Sequence, residues 1–256
     1  MEVIRSSHHT AFPVDDASRV GEARRHAAQL ALQAGLDETG AGRLALVVTE
    51  LGTNLLRHAQ RGMLLLAVRP QAGVVEVLAI DSGPGIADLP RSLADGYSTG
   101  GTPGTGLGAV RRLAHDFDIH SSVPGGTVVL ARVGRADAAP AERTRAATEA
   151  AGVSVPLAGE PVCGDAWAAV PAGEAQATLV VADGLGHGID AGEAAQAALD
   201  VLAARPEAAP AALLQAMHLR LRGTRGAALT IVHADTRSGR LRASGAGNVA
   251  VRVVSG

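Results

Sequence analysis

Two glycine-rich stretches constrain this chain more than any other feature. The first is Asp81-Ser-Gly-Pro-Gly-Ile86, and the second, Gly104-Thr-Gly-Leu-Gly108, follows in the same half of the chain. Glycine and proline weaken the interior of helices and strands, so both stretches are predicted to be loops. Loops of this composition are typical of places where backbone approaches a ligand closely. Their order and spacing predict a ligand site built from loops on a regular scaffold.

A polar pair precedes these loops on a predicted helix. In the range Thr39–Gln60 the apolar residues recur at helical spacing. Glu50 and Asn54 are four residues apart, so their side chains share one face of that helix. A carboxylate and an amide can together handle a hydroxyl group or water and a Mg²⁺ ion. An ordinary polar helix face carries the same pair, and the residue types alone leave both interpretations open.

Asp81 follows an apolar segment, residues 74–80, that is predicted to be a strand. A carboxylate at a strand end can accept a hydrogen bond from the exocyclic amine of a base. Gly83 and Gly85 carry no side chain and would leave room for a flat base against the backbone. A simple turn is the alternative interpretation, because Asp-Ser-Gly-Pro is favourable turn chemistry.

The second loop leads into a predicted helix, Leu107–His115. Gly104, Gly106 and Gly108 would bring backbone N–H groups together at its start. The free N–H groups and dipole at a helix N-terminus favour a polyphosphate. The spacing differs from the dinucleotide-binding motif of a Rossmann fold, and without lysine it is not a P-loop.

The composition narrows the class of protein. Apolar residues make up 47% of the chain and charged residues 19%, which is typical of a globular protein. The net charge is −2, so no broad basic field for nucleic acid is expected. All 23 basic residues are arginine, so side-chain contacts to phosphate must come from arginine. One cysteine and no apolar signal or membrane-length run predict a cytoplasmic protein without a membrane partner.

The chain is long enough for two domains, each with its own core. Residues 135–151 are rich in alanine and charge and poor in large apolar residues, which predicts a linker, although a short surface helix is an open alternative. The predicted organisation is a first domain at 1–134, this linker, and a second domain at 152–256. Both domains mix helices with strands, so the predicted fold class is α/β in two domains.

The motifs of the first domain resemble those of the GHKL (Bergerat-fold) ATPases. Glu50 with Asn54, and the two glycine-rich stretches, look like the N, G1 and G2 boxes of that family. The closer similarity is to small serine/threonine switch kinases of the RsbT and anti-sigma-factor type, and it covers residues 1–134. The resemblance implies a Bergerat-type α/β sandwich that binds Mg-ATP. The residues that match nucleotide-binding positions are Asn54, Asp81, Gly83, Gly85, Ile86, Gly104, Thr105, Gly106, Leu107, Gly108 and Thr127.

The resemblance also implies roles and partners. In this family the residue matching Asn54 holds Mg²⁺, the one matching Asp81 reads adenine, and the one matching Glu50 is the general base. Thr127 matches a threonine that lies near adenine. The implied substrate is a serine or threonine of a STAS-type anti-anti-sigma protein or stressosome scaffold. A rival interpretation is an ATP-dependent binding module that sequesters a sigma factor or activates an enzyme. A metabolite or DNA-repair ATPase of the same fold is a further alternative.

A second set of motifs lies in the C-terminal half. Asp165 begins one predicted strand, and Ala182-Asp-Gly-Leu-Gly-His-Gly188 follows another. Two aspartates at strand edges can converge on a divalent metal, with a backbone carbonyl as a further ligand. An Asp-Gly turn beside an exposed histidine is the alternative.

Together with Ser244-Gly-Ala-Gly-Asn248, these stretches resemble the SpoIIE/RsbX-like branch of the PPM serine/threonine phosphatases over residues 152–256. The resemblance implies a partial PPM-like α/β sandwich that uses Mn²⁺ or Mg²⁺. Asp165, Asp183 and Gly184 map onto metal-binding positions. The family draws a further acidic ligand from a late Asp-Gly motif that residues 152–256 lack, so this half is expected to be incomplete at its C-terminal end.

Overall fold

The structure is a computed structural model that describes residues 4–5, 8–69, 72–93, 106–135 and 150–254. Strands and helices follow one another in groups of two or four elements of the same type. The elements are β1 (Ile4–Arg5), β2 (Thr10–Val14), α1 (Ala17–Gln33), α2 (Glu38–His58), β3 (Gly62–Arg69), β4 (Val74–Asp81), α3 (Leu89–Ser92), α4 (Leu107–Leu113), β5 (Asp116–Ser122), β6 (Gly126–Gly134), β7 (Asp165–Pro171), β8 (Gln176–Gly184), α5 (Ile189–Ala204), α6 (Pro210–Leu221), β9 (Ala227–Asp235) and β10 (Arg240–Ala246).

The described residues divide into two compact units. Those within His9–Glu142 form the first unit, and those within Met1–His8 and Arg143–Gly256 form the second. Strand β1 therefore belongs to the second unit, where it pairs with β7, although the sequence predicts residues 1–134 as one domain. Most of the predicted linker at 135–151 lies outside the described residues.

The first unit is a five-stranded antiparallel sheet in the order β2-β3-β4-β6-β5, with helices packed on one face. Over most of each strand, alternate residues point to that face and are apolar, as the period of two requires. They meet the buried stripe of α2, which carries Leu44, Val47, Leu51 and Leu55. The core of this unit therefore lies between α1, α2 and the sheet.

The two long helices of this unit begin at capping aspartates. Asp16 accepts a hydrogen bond from Ser18 N at 2.6 Å, and Asp37 accepts one from Gly40 N at 2.7 Å. The helices then cross closely at Gly52, where an added Cβ would lie 2.8 Å from Val20. This contact requires glycine and fixes the exposed face of α2 relative to the sheet.

The second unit is a five-stranded antiparallel sheet in the order β1-β7-β8-β9-β10, with α5 and α6 on one face. Its core is rich in alanine and leucine, with Leu202, Met217 and Ile231 fully buried. The apolar sequence of Val249–Val254 predicts one more strand, and this prediction is wrong, because these residues form no ladder with any described strand. Val249 O accepts a hydrogen bond from the side chain of Thr230, with Oγ1 at 2.8 Å. The mixed α/β architecture in two units is the predicted fold class.

Candidate functional site

A row of three polar residues crosses the helix-facing surface of the first sheet at one end. Asp81 of β4 is the register partner of Thr127 of β6, which is in turn the partner of Ser121 of β5. Directly paired residues of antiparallel strands point to the same face, so the three side chains form one line. The apolar core of the unit ends at this row, and the surface of the sheet is polar here. Thr127, in the middle of the row, is only 8% exposed.

Hydrogen bonds hold this row in place. Asp81 Oδ1 accepts from Gly83 N at 2.6 Å, which turns the chain directly after β4. The hydroxyls of Ser121 and Thr127 lie 2.9 Å apart, and Ser121 Oγ accepts from Ile86 N at 2.8 Å. The loop that follows Asp81 is therefore bound at both ends to the polar row.

Close backbone contacts explain the glycines of this region. An added Cβ at Gly85 would lie 2.2 Å from Ser122 O, and one at Gly126 would lie 2.1 Å from Asp81 O. Both glycines also have positive φ, +75° and +94°. At Gly83 the added Cβ would lie 2.7 Å from Asp81 Oδ1. The glycines thus let the loop pack against the β5–β6 hairpin.

The exposed face of α2 brings Glu50 and Asn54 to the same region. Both side chains are half-buried, and within the described residues neither has a hydrogen-bond partner. Burial raises the pKa of Glu50, and the charge of Arg57 opposes this shift. A partly desolvated carboxylate of this kind is suited to accept a proton.

The C-terminal end of α2 contacts the loop that follows β4. Ser82 N donates to Gln60 O at 3.1 Å, and an added Cβ at Gly83 would lie 3.0 Å from His58 O. Asn54 lies one helical turn before His58. The end of α2 that follows Asn54 therefore lies against the loop that follows the polar row.

Helix α4 begins at Leu107 and packs against α2 through its buried Gly108 and Val110. Its N-cap is Gly106, which has no side chain to satisfy the first N–H groups of the helix. Among the described residues no side chain caps these N–H groups, an arrangement that suits an anion. The predicted contacts of Gly104 and Thr105 lie outside the described residues.

The sequence interpretation missed Ser121. It lies in a strand that reads as an ordinary polar edge, and the signal that could have found it is the register of the hairpin around Pro124-Gly-Gly126. Counting back from that turn places Ser121 opposite Thr127. A serine opposite a predicted base-contacting threonine is then a candidate for the same site.

In the second unit, Asp165 and Asp183 are register partners across β7 and β8. Burial raises the pKa of Asp165, and the charge and hydrogen bond of Asp183 raise it further. Gly184 N donates to Gly164 O at 3.1 Å, so the Asp-Gly loop is fixed beside Asp165. The pair concentrates negative charge at one edge of the sheet.

Two polar contacts lie at the loop after β8 and the first turn of α5. His187 Nδ1 lies 2.5 Å from Glu160 Oε1, and Arg225 Nη2 lies 3.0 Å from Asp190 Oδ2. Among the residues that the structure describes, no group of three or more histidine, cysteine or acidic side chains is arranged to hold a metal. Asp165, Asp183 and the Gly184 carbonyl stay a predicted ligand set of two carboxylates and one backbone carbonyl.

The sequence motifs imply Mg-ATP in the first unit and a divalent metal ion in the second, and the residues present suit these two groups to different degrees. In the first unit, the free amide of Asn54 and the desolvated carboxylate of Glu50 supply oxygen atoms of the kind that Mg²⁺ prefers. In the second unit, the mutual repulsion of Asp165 and Asp183 would be relieved by a divalent cation. Two carboxylates are a partial set of oxygen ligands, and water would have to supply the rest.

Comparison with known proteins assigns the first unit. Residues 12–133 match the family model for the histidine kinase-like ATPase domain. Over 112 residues, the chain is 32% identical to the serine/threonine-protein kinase RsbT of Bacillus subtilis (strain 168). The matched region covers 43% of this chain and 84% of RsbT. Among the described residues, no helix is both long and apolar enough to cross a membrane.

Two solved structures are also similar to parts of the chain. One, described as "The bacterial stressosome: a modular system that has been adapted to control secondary messenger signaling", is 36% identical over 36% of this chain, with a TM-score of 0.34. The other is RsbX in complex with magnesium, 23% identical over 37% of this chain, with a TM-score of 0.35. The chain spans about half the length of each, 47%. The two sequence matches identify the family: through residues 12–133 the chain belongs to the histidine kinase-like ATPase family and is a homologue of RsbT.

Proposed function

We propose that the first unit binds Mg-ATP and phosphorylates a serine or threonine of a protein partner. The observation that carries this proposal is the 32% identity to RsbT, a serine/threonine-protein kinase, over 84% of its length. The geometry supports it, because α2, the loop after β4 and the start of α4 meet at one end of the unit. The arrangement supplies acceptor groups for a base and free N–H groups for a polyphosphate.

Each side chain has a proposed task. Asp81 and Thr127 read the base, and Asn54 supplies an oxygen to Mg²⁺, which neutralises phosphate charge when bound. Glu50 accepts the proton of the attacking serine or threonine hydroxyl. The hydroxyl oxygen then bonds to the γ-phosphorus while the bond from that phosphorus to the leaving ADP breaks. The raised pKa of Glu50 supports this task, because a weakly solvated carboxylate is a stronger base than an exposed one.

The proposed partner is a STAS-type protein of a bacterial partner-switching or stressosome pathway. The similarity to RsbT and the run of N-, G1- and G2-box residues support this class of partner. The proposal assigns the chain a switching role, in which the phosphorylation state of the partner sets which protein it binds.

For the second unit we propose a phosphatase-like, metal-dependent function. Asp165, Asp183 and the Gly184 carbonyl are the proposed ligands of Mn²⁺ or Mg²⁺, and such an ion would supply a water activated for attack on a phosphoester. The opposed carboxylates on β7 and β8 support this assignment. One chain would then carry both the kinase and the opposing phosphatase-like unit.

Transfer of radiolabelled γ-phosphate from ATP to a purified STAS-domain protein tests the kinase proposal. We expect Glu50→Gln to bind Mg-ATP as the wild type does but to lose at least a hundredfold in transfer rate, since general base catalysis typically contributes 10²–10⁴-fold. Asn54→Ala should lose both binding and transfer. Glu22→Gln, an exposed change on α1, is the matched control.

Equal transfer by Glu50→Gln and the control would contradict the proposed base. If no variant, including the wild type, transfers label while a sigma factor copurifies with Glu50→Ala, the unit is a binding module instead.

A further inference from the structure

The hydroxyl of Thr127 depends on one neighbouring side chain for its orientation. Thr127 is buried in the polar row, and among the described residues Ser121 is the hydrogen-bond partner of its hydroxyl. Which of the two oxygens donates decides whether Thr127 offers a ligand a proton or a lone pair. The contacts of Ser121 settle this question.

A serine hydroxyl has one proton to donate and two lone pairs that accept. Ser121 Oγ accepts from Ile86 N at 2.8 Å, and it lies 3.2 Å from Gly126 O, a carbonyl oxygen that can only accept its proton. The remaining lone pair faces Thr127 Oγ1 at 2.9 Å. With the Ser121 proton given to Gly126 O, all three contacts of Ser121 are hydrogen bonds only if Thr127 donates to it. The lone pairs of Thr127 then remain as acceptors.

Asp81 presents the same polarity beside Thr127. Its Oδ1 accepts from Gly83 N, and the other carboxylate oxygen has no partner within the part of the chain that the structure describes. Two neighbouring positions of the row therefore accept hydrogen bonds and neither donates. A purine with an amino group at C6 offers N–H donors to such a row, whereas one with a keto oxygen at C6 offers an acceptor and leaves lone pairs facing each other.

We propose that Ser121 is a positioning residue that sets nucleotide specificity, because it takes the proton of Thr127 and so turns the row into a reader of 6-amino purines. This inference rests on the proposed nucleotide-binding function of the first unit and adds a residue that the family motifs do not include. Without the Ser121 hydroxyl, the Thr127 hydroxyl rotates freely and can donate to a 6-keto group. The discrimination carried by Thr127 is then lost, and that carried by Asp81 remains.

Titration calorimetry of the full chain with Mg-ATP and with Mg-GTP tests the inference. In Ser121→Ala we expect the ratio of the two dissociation constants to fall about fivefold to tenfold, the factor for about one hydrogen bond, through weaker ATP binding and unchanged or tighter GTP binding. Ser121→Thr keeps the hydroxyl and should keep the wild-type ratio. His120→Ala is the control, because His120 is exposed and, as the neighbour of Ser121 in β5, points to the opposite face of the sheet.

The outcomes separate this inference from the function on which it rests. Wild-type protein that binds neither nucleotide contradicts the proposed function. Wild-type protein that binds both nucleotides equally overturns the inference, as does Ser121→Ala if it retains the wild-type ratio or weakens both nucleotides by the same factor. If Ser121→Ala does not fold, Thr127→Val removes the same acceptor. A wild-type ratio in that variant also overturns the inference.

Discussion

A buried carboxylate on the outer face of the first sheet gives the sharpest prediction about stability. Glu76 of β4 is 3% exposed and accepts hydrogen bonds from Arg132 Nε at 2.7 Å, Arg69 Nη2 at 3.0 Å and His9 Nε2 at 3.1 Å. Burial alone would raise the pKa of Glu76, but the hydrogen bonds from His9 and Arg69 and the arginine charges outweigh it and hold this pKa well below the usual range. We expect Glu76→Gln to destabilise the first unit strongly.

The size of the effect follows from the contacts. A hydrogen bond to a charged group is worth about 1.5–3 kcal/mol, and Glu76 accepts three of them. The loss is smaller than their total, because glutamine keeps one acceptor oxygen and the side chains of Arg69 and Arg132 are 23% and 26% exposed, so water can reach them. Arg132 also keeps Asp116 at 2.6 Å. The expected loss is therefore about 3–5 kcal/mol, as for one partner removed from a buried ion pair.

Urea unfolding with two optical signals measures this loss in one unit. Far-UV circular dichroism reports both units, whereas fluorescence of Trp167, the single tryptophan, reports the second. Glu76→Gln should move the dichroism transition of the first unit to lower urea and leave the Trp167 transition in place. Glu22→Gln removes an exposed pair with Arg19 and should cost less than about 1 kcal/mol. Coincident dichroism curves for the two variants would refute the reasoning.

Three further predictions follow from named contacts. The difference in unfolding free energy between wild type and Glu76→Gln should stay constant from pH 7 to 5 and narrow below about pH 4.5. The reason is that the pKa of Glu76 is depressed in the folded protein, so wild-type stability falls as Glu76 takes up a proton. A difference that does not change in acid would contradict this. Gly126→Ala should weaken Mg-ATP binding at least about tenfold by calorimetry, since its Cβ would overlap Asp81 O, whereas Gly42→Ala meets nothing within 4 Å and should leave binding unchanged. Asp165→Asn should abolish the rise in the Trp167-monitored melting temperature on adding Mn²⁺, and an undiminished rise would remove Asp165 from the ligand set.

Patterns confined to one segment predicted the regular structure well. The apolar spacing of Thr39–Gln60 predicted α2, which runs from Glu38 to His58, because one face of the helix must meet the core. It ends early because Ala59 is extended and the chain must reverse into β3 at Gly62. The sequence placed Asp165 and Asp183 at the edges of two predicted strands, and the antiparallel register of β7 with β8 brings them opposite each other.

Contacts between distant segments could not be predicted in the same way. Glu76 lies at an outward position of an alternating strand, which predicts exposure, but cations from β3 and β6 cover it. Strand β1 is two residues long and carries no pattern, and its partner β7 lies far along the chain. Ser121 became a site residue only through the register of β5 with β6. In each case the side chain takes its role from a neighbour that the local sequence does not specify.

Calorimetric titration of the full chain with Mg-ATP tests the central claim most directly, because it separates the polar row from the proposed base. We expect one nucleotide per chain for the wild type, unchanged affinity for Glu50→Gln, and at least a tenfold loss for Asp81→Ala, which removes the free acceptor oxygen of the row. Absence of binding heat with the wild-type chain, or equal affinity in Asp81→Ala, would contradict a nucleotide site between α2 and the ends of β4 and β6.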